Sequence, residues 1–454
     1  MQSIDRSTPP KPGKPSLITF PAFGREVLKN GIPVYIVENH SQPYVSLQLV
    51  ARSGASSDGQ FAGLAEFASN LLLSGAGRRN AQQLAEEIDY LGATLDASAG
   101  RDETTVGLGV LATFLPQALE LMADVVLRPT FPADEVQRER KQSIAALKQN
   151  RSDPAYLASV QFRRELYGSG PYGTEVDGTE ESLRRITRNE CLRFHAEHFV
   201  AGNVFFVAAG DVVPQEFIRL LNHCFGEWSG EAPQPRAFEL PAGRESKSLV
   251  VVDRPGSVQS AMRVGSIALE RRHRDYIPLI TLNTLFGGYF NSRINNNLRE
   301  RNGYTYGARS GVDALKNPGA FSIAVSVGTA VTAAALGEIF SELEAITREA
   351  VTEEELTMVK NFIVGSQALQ TETPGQVASF VRAIALYGLP DDYYRRFPDM
   401  VRAVGQEELL TIARRYMNPD HMVAVIAGDA SVISGELERF GPVRVVDEKG
   451  IART

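Results

Sequence analysis

Residues 203–211 read Asn-Val-Phe-Phe-Val-Ala-Ala-Gly-Asp, and residues 421–429 read His-Met-Val-Ala-Val-Ile-Ala-Gly-Asp. Each stretch is an apolar run that ends in Gly-Asp, and 218 residues separate Asp211 from Asp429. A similar run in each half of a 454-residue chain indicates an internal duplication. The sequence therefore predicts two homologous domains.

Two further landmarks recur at almost the same distance. The acidic helix start Asp134-Glu135 corresponds to Glu353-Glu354, and 219 residues separate Glu135 from Glu354. Each start follows an Ala-Leu pair, which is Ala118-Leu119 in the first half and Ala335-Leu336 in the second. One Gly-Asp pair alone is a trivial match, but three landmarks at nearly one offset support a duplication.

The boundary between the halves lies between Ser229 and Lys247, where glycine and proline interrupt the periodicity and charged residues are frequent. This composition is typical of a linker. The predicted organisation is a disordered proline-rich lead-in over 1–18, an N-terminal domain over 19–230, a linker over 231–247, a C-terminal domain over 248–447 and a tail over 448–454.

Within each half, short segments rich in β-branched residues precede long helical patterns. Strands are predicted at residues 34–37, 45–51, 248–252 and 261–267. Helices are predicted at residues 63–73, 80–91, 114–127 and 133–149. Because strands and helices are grouped rather than alternating, the predicted fold class is α+β, with helices packed on a mainly antiparallel sheet in each domain.

Composition excludes several classes of protein. With 43% hydrophobic and 22% charged residues the chain is globular, and a net charge of −7 gives no sign of a nucleic-acid partner. No apolar run is long enough for a membrane span, and no signal-peptide core begins the sequence. The two cysteines, Cys191 and Cys224, exclude a disulfide scaffold. A soluble protein is expected, cytoplasmic by default and periplasmic if a leader was removed.

A series of short motifs follows the order and spacing of one peptidase superfamily. The motifs are Leu28-Lys29-Asn30-Gly31, Gly54, Gly63-Leu64-Ala65, Leu91-Gly92-Ala93-Thr94-Leu95-Asp96-Ala97, Arg128-Pro129-Thr130-Phe131, His198-Phe199 with Asn203, and Gly210-Asp211. Each is weak alone, but together they are specific. From about Phe23 to Val445 the chain resembles the pitrilysin and insulinase superfamily, in its short two-domain bacterial branch related to mitochondrial processing peptidase.

The segment that matches the zinc helix of this superfamily reads Gly-Leu-Ala-Glu-Phe-Ala-Ser-Asn over residues 63–70. In the H-x-x-E-H motif two imidazoles one helical turn apart bind zinc, and the glutamate activates water. The corresponding residues here are Glu66, Ser69 and Asn70. Serine is not a base near neutral pH, and an amide is a poor zinc ligand. The third ligand, a glutamate on a later helix, falls on Ala145 or Ala146. The resemblance therefore implies that this chain holds no catalytic zinc and no other cofactor.

Two other groups of side chains are similar to metal ligands. His195 and His198 are three residues apart, close enough to share a metal, but no third ligand is evident and packing is favoured. Glu66 with Glu86 or Glu87 would suit calcium or magnesium better than zinc. A solvated helix face is the favoured interpretation of those acids.

The second half retains what looks like the arginine and tyrosine pair of the superfamily. Arg299 lies in Leu298-Arg299-Glu300-Arg301, and Tyr306 follows seven residues later. The resemblance implies that this pair completes a zinc site when two halves of an assembly face each other. A guanidinium can anchor a peptide carbonyl or terminus, and a phenol can donate to the oxyanion that forms when water attacks.

The resulting hypothesis is a non-metal-binding subunit of a heterodimeric zinc endopeptidase that is inactive alone. A homologous partner with H-x-x-E-H would supply the zinc, and the two chains would enclose short or unfolded peptides. Members of the superfamily bind such peptides as an added strand at a sheet edge, which corresponds here to residues 95–105. One alternative is a catalytically inactive structural or peptide-binding protein, like the core subunits of respiratory complexes. Another is an active homodimer with unfamiliar ligands, which requires stoichiometric zinc in the isolated chain.

Overall fold

The computed structural model describes residues 19–234, 238–240 and 246–453. The predicted lead-in over 1–18 lies outside the described residues, and so do parts of the predicted linker over 231–247 and the last residue of the predicted tail. In the described ranges, no helix combines the length and the apolar character that a membrane crossing requires.

The first half of the chain forms one six-stranded sheet. Its strands, with those of a small ribbon, are β1 (Gly24–Val27), β2 (Pro33–Glu38), β3 (Tyr44–Ala51), β4 (Gly75–Ala76), β5 (Arg79–Asn80), β6 (Thr94–Ala99), β7 (Thr104–Leu111) and β8 (Val204–Gly210). The sheet order is β1-β2-β8-β3-β7-β6, and β4 pairs with β5. Four of the five pairings in the sheet are antiparallel, and β2 with β8 is parallel. The parallel pair arises because β8 returns to the sheet only after a long helical segment.

The helices of this half are α1 (Leu64–Leu71), α2 (Ala81–Tyr90), α3 (Leu115–Leu127), α4 (Ala133–Asn150), α5 (Pro154–Tyr167), α6 (Glu180–Arg185), α7 (Arg188–His198) and α8 (Pro214–Phe225). Local sequence explains several of their starts. Asn80 accepts from the Gln83 backbone N–H and so begins α2 with a capping box. Asp134 and Glu135 occupy the first turn of α4, where the helix dipole favours acids. The main core of the half includes Phe67 and Met122 from the helices and Phe206 from the sheet.

The second half repeats this plan. Its strands are β9 (Ser248–Asp253), β10 (Gln259–Ile267), β11 (Ala308–Asp313), β12 (Ala320–Gly328), β13 (Val423–Gly428) and β14 (Val443–Val446). The sheet order is β11-β12-β10-β13-β9-β14. β9 pairs in parallel with β13 and β14, and the other three pairings are antiparallel. The helices are α9 (Tyr276–Asn283), α10 (Arg293–Asn295), α11 (Thr332–Arg348), α12 (Glu353–Leu369), α13 (Pro374–Tyr387), α14 (Tyr393–Ala403), α15 (Gln406–Tyr416) and α16 (Ala430–Leu437).

The predicted α+β fold with two homologous domains and mainly antiparallel sheets is confirmed. The four predicted strands lie within β2, β3, β9 and β10, and the four predicted helices coincide with α1 to α4 to within a few residues. The duplicated apolar runs form β8 and β13, in which every residue is buried. A strand with both faces covered is expected to be continuously apolar, as these two are.

Each half covers one sheet face of the other half with a helix. Helix α5 packs on β9, β10 and β13, where Phe162 and Leu166 contact a cluster that includes Val250 and Val425. Helix α13 packs on β2, β3 and β8, where Val381 joins a cluster with Phe205. The central strands of each sheet are therefore covered on their second face by a helix that belongs to the other half of the chain.

Residues near the predicted linker and tail also contact the folded halves. Phe238 packs on Tyr172 with ring centroids 4.7 Å apart. Ala452 forms an isolated antiparallel bridge with Val446, and the Arg453 guanidinium donates to the carboxylate of Asp253. These contacts attach the described parts of both segments to the domains.

Candidate functional site

Helix α1 carries the positions that correspond to the zinc motif, and its start is fixed by a tight turn. Gly63 has a φ of 89°, and a Cβ at this position would lie 2.9 Å from the Gly178 Cα. Glycine is therefore required here for both backbone conformation and space. The Asp58 carboxylate accepts from the backbone N–H groups of Gly63 at 2.6 Å and Ala65 at 2.8 Å. Gly63 at the start of α1 has no side chain to cap the helix, so the Asp58 carboxylate accepts from these two backbone N–H groups instead.

Glu66 and Ser69 make hydrogen bonds within the chain. Oε2 of Glu66 accepts from the backbone N–H of Ala99 at 2.8 Å. Burial raises the pKa of Glu66, and the nearby Glu139 carboxylate adds to that rise. The buried Ser69 hydroxyl donates to the backbone carbonyl of Glu66 at 2.9 Å. Ser69, which is predicted to correspond to the water-activating glutamate, thus carries a hydroxyl bonded to its own helix.

Asn70 is bonded to helix α4. Its Nδ2 donates to Oε1 of Glu139 at 3.0 Å, and the Ser143 hydroxyl donates to the same oxygen at 2.9 Å. A cavity of about 330 Å³ lies beside these groups, and Ala146 is part of its wall whereas Ala145 is not. The structure therefore brings Glu66, Asn70 and Ala146 together at one cavity.

Glu139 is the residue that sequence reasoning missed at this cavity. It lies seven residues before Ala146 on α4, which places the two residues on the same face of that helix. This helical spacing from Ala146 is the sequence signal that could have identified Glu139 as a residue at the cavity.

The donor set at this cavity does not fit catalytic zinc. Catalytic zinc needs three protein ligands and an open position, and here two of the predicted ligand positions, Asn70 and Ala146, carry an amide and a methyl group. In the residues that the structure describes, no group of three or more histidine, cysteine or acidic side chains could hold a metal.

The other metal-like groups are engaged elsewhere. Nε2 of His195 lies 2.8 Å from the carbonyl oxygen of Val126, and the ring stacks on Phe199 with centroids 5.1 Å apart. The Arg79 Nε donates to Oε1 of Glu87 at 2.8 Å. These contacts place His195 and Glu87 in packing and surface roles.

Strand β6 is the open edge of the first sheet. It pairs on one side with β7, and Gly100 N–H donates to Glu103 O at the hairpin end. In an antiparallel ladder alternate residues face outward, so Leu95, Ala97 and Ala99 direct their backbone groups away from β7. The Ala99 N–H is the one that Glu66 accepts. Glu66 therefore occupies one end of this edge, and among the described residues the outward backbone groups of Leu95 and Ala97 have no hydrogen-bond partner.

Arg299 and Tyr306 lie on the segment that leads into β11. Arg299 is in a π-helical turn, Asn296–Arg301, and its guanidinium carbon is 4.6 Å from the centroid of the Phe290 ring. Its Nε lies 3.5 Å from Oε1 of Glu300, and 36% of its side chain is exposed. Tyr306 is 99% exposed. Within the described residues no hydrogen bond joins Arg299 to Tyr306, and Arg299 does not line the groove at Tyr306.

Tyr306 lies at a groove of about 430 Å³ on the face of the second sheet. Ala324 on β12 pairs with Arg263 on β10 and with Arg309 on β11, so a small residue lies between two arginines on neighbouring strands. Nε of Arg263 donates to the Ser159 hydroxyl of α5 at 2.9 Å. Neither arginine forms an ion pair in the part of the chain that the structure describes. Sequence reasoning missed both residues, and the signal for Arg263 is a charged residue inside the predicted strand 261–267.

Comparison with known proteins places this geometry in context. Residues 34–179 match the family model described as Insulinase (Peptidase family M16), and residues 185–363 match the model described as Peptidase M16 inactive domain. A protein of Mycobacterium bovis named an uncharacterized zinc protease is 28% identical over 384 residues, which cover 82% of this chain and 85% of that protein.

Two further similarities extend over most of the chain. The Helicobacter pylori protein named non-peptidase homolog YmxG is 22% identical over 85% of this chain and 89% of its own length. A crystal structure described as a peptidase M16 inactive domain from Pseudomonas fluorescens has a TM-score of 0.84 and 27% identity. That alignment covers 89% of this chain and 98% of the solved chain.

Proposed function

This chain belongs to the insulinase family, peptidase family M16, and on that premise we propose that it is the non-metal-binding subunit of a heterodimeric zinc endopeptidase. A homologous partner with an intact H-x-x-E-H helix binds the zinc. This chain contributes Arg299 and Tyr306 to the partner's site and forms half of a chamber for short or unfolded peptides.

The observation that carries the proposal is the exposure of Tyr306. A tyrosine that is 99% exposed contributes almost no burial to the fold, so packing gives no reason for it at this position. Its phenol is a hydrogen-bond donor at neutral pH and suits an oxyanion that forms outside this chain. Arg299, held over Phe290, is suited to bind the carbonyl or the terminus of the same peptide.

The residues at the zinc-helix positions also support the proposal, because they lack the groups that would bind zinc. Glu66 and Asn70 are engaged by Ala99 and Glu139, and Ala146 offers no donor atom. A chain with these residues cannot activate water by itself through this site. The name non-peptidase homolog, carried by the Helicobacter pylori relative, agrees with that inference.

The open part of each sheet supports a chamber. Helices α5 and α13 cover the central strands, while β6 and β11 are edge strands of the two sheets. The groove at Tyr306 lies over β10, β11 and β12. Peptide backbone can pair with an edge strand, and its side chains can then contact the open faces.

The experiment is cleavage of a quenched peptide library by this chain alone, by the zinc-bearing partner alone and by the mixture. Activity is expected in the mixture and not in either chain alone. In the mixture, Tyr306→Phe is expected to lower kcat by about 100-fold, as the loss of one oxyanion donor does in other hydrolases. Arg299→Ala is expected to raise KM, because it removes a group that positions the peptide.

Matched controls separate these roles from general effects of substitution. Tyr90 is 87% exposed on α2, so Tyr90→Phe removes the same hydroxyl at a remote place. Arg301→Ala removes an exposed guanidinium from the same π-helical turn as Arg299. Both controls are expected to keep full activity in the mixture. An inactive mixture, or a Tyr306→Phe variant as active as the parent, would contradict the proposal and favour a structural or peptide-binding protein.

A further inference from the structure

A second cavity, of about 210 Å³, lies where the start of α9 meets the start of α14. None of its lining residues belongs to the cavity at Glu66 or to the groove at Tyr306. Four arginines line it, Arg271, Arg272, Arg274 and Arg396, together with His273. One acidic residue, Asp392, is part of the same wall.

Arg271 forms the buried part of this cavity. It is 6% exposed, and its guanidinium carbon lies 3.8 Å from the centroid of the Tyr276 ring and 4.9 Å from that of Tyr393. Nη1 donates to the Tyr393 hydroxyl and Nη2 to the Tyr394 hydroxyl, both at 3.1 Å. A guanidinium has five N–H donors, so these two bonds leave donors for another partner.

The charge of Arg271 is not balanced by the residues around it. In the described parts of the chain, no carboxylate lies within ion-pair distance of this side chain, whereas many other arginines have such a partner. The phenols cannot supply the charge, because burial raises the pKa of Tyr393 to about 12 and also raises that of Tyr394. An arginine stays charged at all physiological pH values, so a buried one requires a counter-charge.

The rim of the cavity adds positive charge. Arg272, Arg274 and Arg396 are exposed there. The Arg274 Nε lies 3.6 Å from Asp275, and the Arg396 Nη1 lies 3.8 Å from Asp392. Arg272 has no ion pair within the described residues. Asp275 also accepts from Arg415 and is therefore shared between two arginines, so Arg271 and Arg272 leave an excess of at least two positive charges at the cavity.

Two helix starts increase this excess. Helices α9 and α14 begin at Tyr276 and Tyr393, and both residues line the cavity. Neither helix has a side-chain cap, although an aspartate precedes each start. The N–H groups of Tyr276 and Tyr393 donate to the carbonyl oxygens of His273 and Pro390, so these helix starts contribute the positive ends of their dipoles, which favour an anion nearby.

We propose that this cavity binds a phosphate-class oxyanion, either free phosphate or the terminal phosphate of a small monoester. A dianion balances the excess of two charges, and the planar fork of Arg271 matches two oxygens of a tetrahedral anion. Bound there, the anion would connect the start of α9 to the start of α14.

The test is calorimetric titration of the full chain with inorganic phosphate and, separately, with glycerol phosphate, at constant ionic strength. Saturable binding of either anion at one site per chain is expected. The anion that binds more tightly shows whether the site prefers free phosphate or the phosphate of a monoester. Arg396→Ala and Arg272→Ala are each expected to weaken binding by at least about tenfold. Arg271→Lys keeps the charge without the fork and is expected to weaken binding similarly.

Two arginine variants serve as controls. Arg395→Ala changes an exposed neighbour on α14 that does not line the cavity, and Arg309→Ala changes the groove at Tyr306. Both should bind phosphate as the parent does. Lack of saturable binding, equal affinity for acetate, or unchanged affinity in both Arg396→Ala and Arg272→Ala would overturn the assignment. Circular dichroism of each variant shows whether the fold is retained, and the two exposed rim positions keep the test independent of the buried Arg271.

Discussion

The side chains at positions 66 and 70 are bonded to distant parts of the chain. Glu66 accepts from Ala99, and Asn70 donates to Glu139 on another helix. The sequence shows which ligands are missing, but these partners appear only in the folded chain. Restoring zinc binding therefore requires replacement of those contacts as well as of the ligands.

At this residue scale, the variant Glu66→His/Ser69→Glu/Asn70→His/Ala146→Glu is expected to bind one zinc per chain. Positions 66 and 70 are one turn apart on α1, and Ala146 lines the same cavity, so three ligands converge. The measurement is competition for zinc with a chromophoric chelator.

The matched control for this prediction places the third ligand at Ala145 instead. Ala145 does not line the cavity, so that variant is expected to bind zinc at least about tenfold more weakly, as loss of a well-placed group at a zinc site does. Equal affinity of the two variants would show that the zinc-helix register proposed here is incorrect.

At the scale of elements, an ion pair joins the start of α12 to the start of α10. Arg293 donates to Glu355 through Nε at 2.7 Å and Nη2 at 2.8 Å, which is a bidentate geometry. Glu355 also accepts from the backbone N–H of Thr352 and completes a capping box. The hydrogen bond from Arg293 is the main reason that the pKa of Glu355 is lowered to about 2.

Glu355→Gln is expected to lower the free energy of unfolding by about 1 to 2 kcal/mol at pH 7, a value that allows for partial solvent screening. Because the folded pKa lies below the ordinary value of 4.5, this stabilisation is present above pH 4.5. It is lost as the pH falls towards 2. Urea unfolding of parent and variant across this range measures the difference.

A neighbouring substitution controls for the cap. Thr352→Ala removes the other half of the capping box and is expected to cost about 1 kcal/mol at pH 7. Its cost is expected to change less with pH than that of Glu355→Gln, because the main cause of the lowered Glu355 pKa is Arg293, and the Thr352 hydroxyl contributes less. A Glu355→Gln effect that stays constant from pH 7 to pH 2 would contradict the assigned role of the ion pair.

At the scale of the whole molecule, each half depends on a helix from the other. Helix α13 follows the first four strands of the second sheet in sequence, yet it covers the first sheet. Helix α5 belongs to the first half, yet it covers the second sheet. Separate halves would each expose an apolar sheet face, and water would be in contact with Phe205 or Val425. The two halves are therefore expected to unfold as one cooperative unit.

Ile384→Ala tests this dependence. Ile384 lies on α13 and is fully buried against the first sheet, so its truncation is expected to cost about 2 to 5 kcal/mol. Hydrogen exchange should then increase in β8 as well as in α13, while unfolding remains a single transition. Leu369→Ala removes a side chain that is 71% exposed and should change stability by less than about 0.5 kcal/mol. Two separate transitions, or faster exchange confined to α13, would argue against one unit.

The sequence by itself determined the duplication and the fold class, and it predicted which ligands are absent from the proposed zinc-helix positions. These follow from local patterns, since an apolar run such as 203–211 and the residue type at Ser69 can be recognised without any contact. Helix bounds were also predictable because caps such as Asn80 act within one turn.

Only the tertiary structure decided which residues meet. Contacts between distant segments decide that α5 and α13 each cover the sheet of the other half and that Glu66 accepts from Ala99. They also decide that Ala146 rather than Ala145 lines the cavity and that the charge of Arg271 is unbalanced. Periodicity reports which face of an element is apolar, but it does not report which element covers that face. Burial is a property of the packed chain, and it is burial that sets the environment of Glu66 and Arg271.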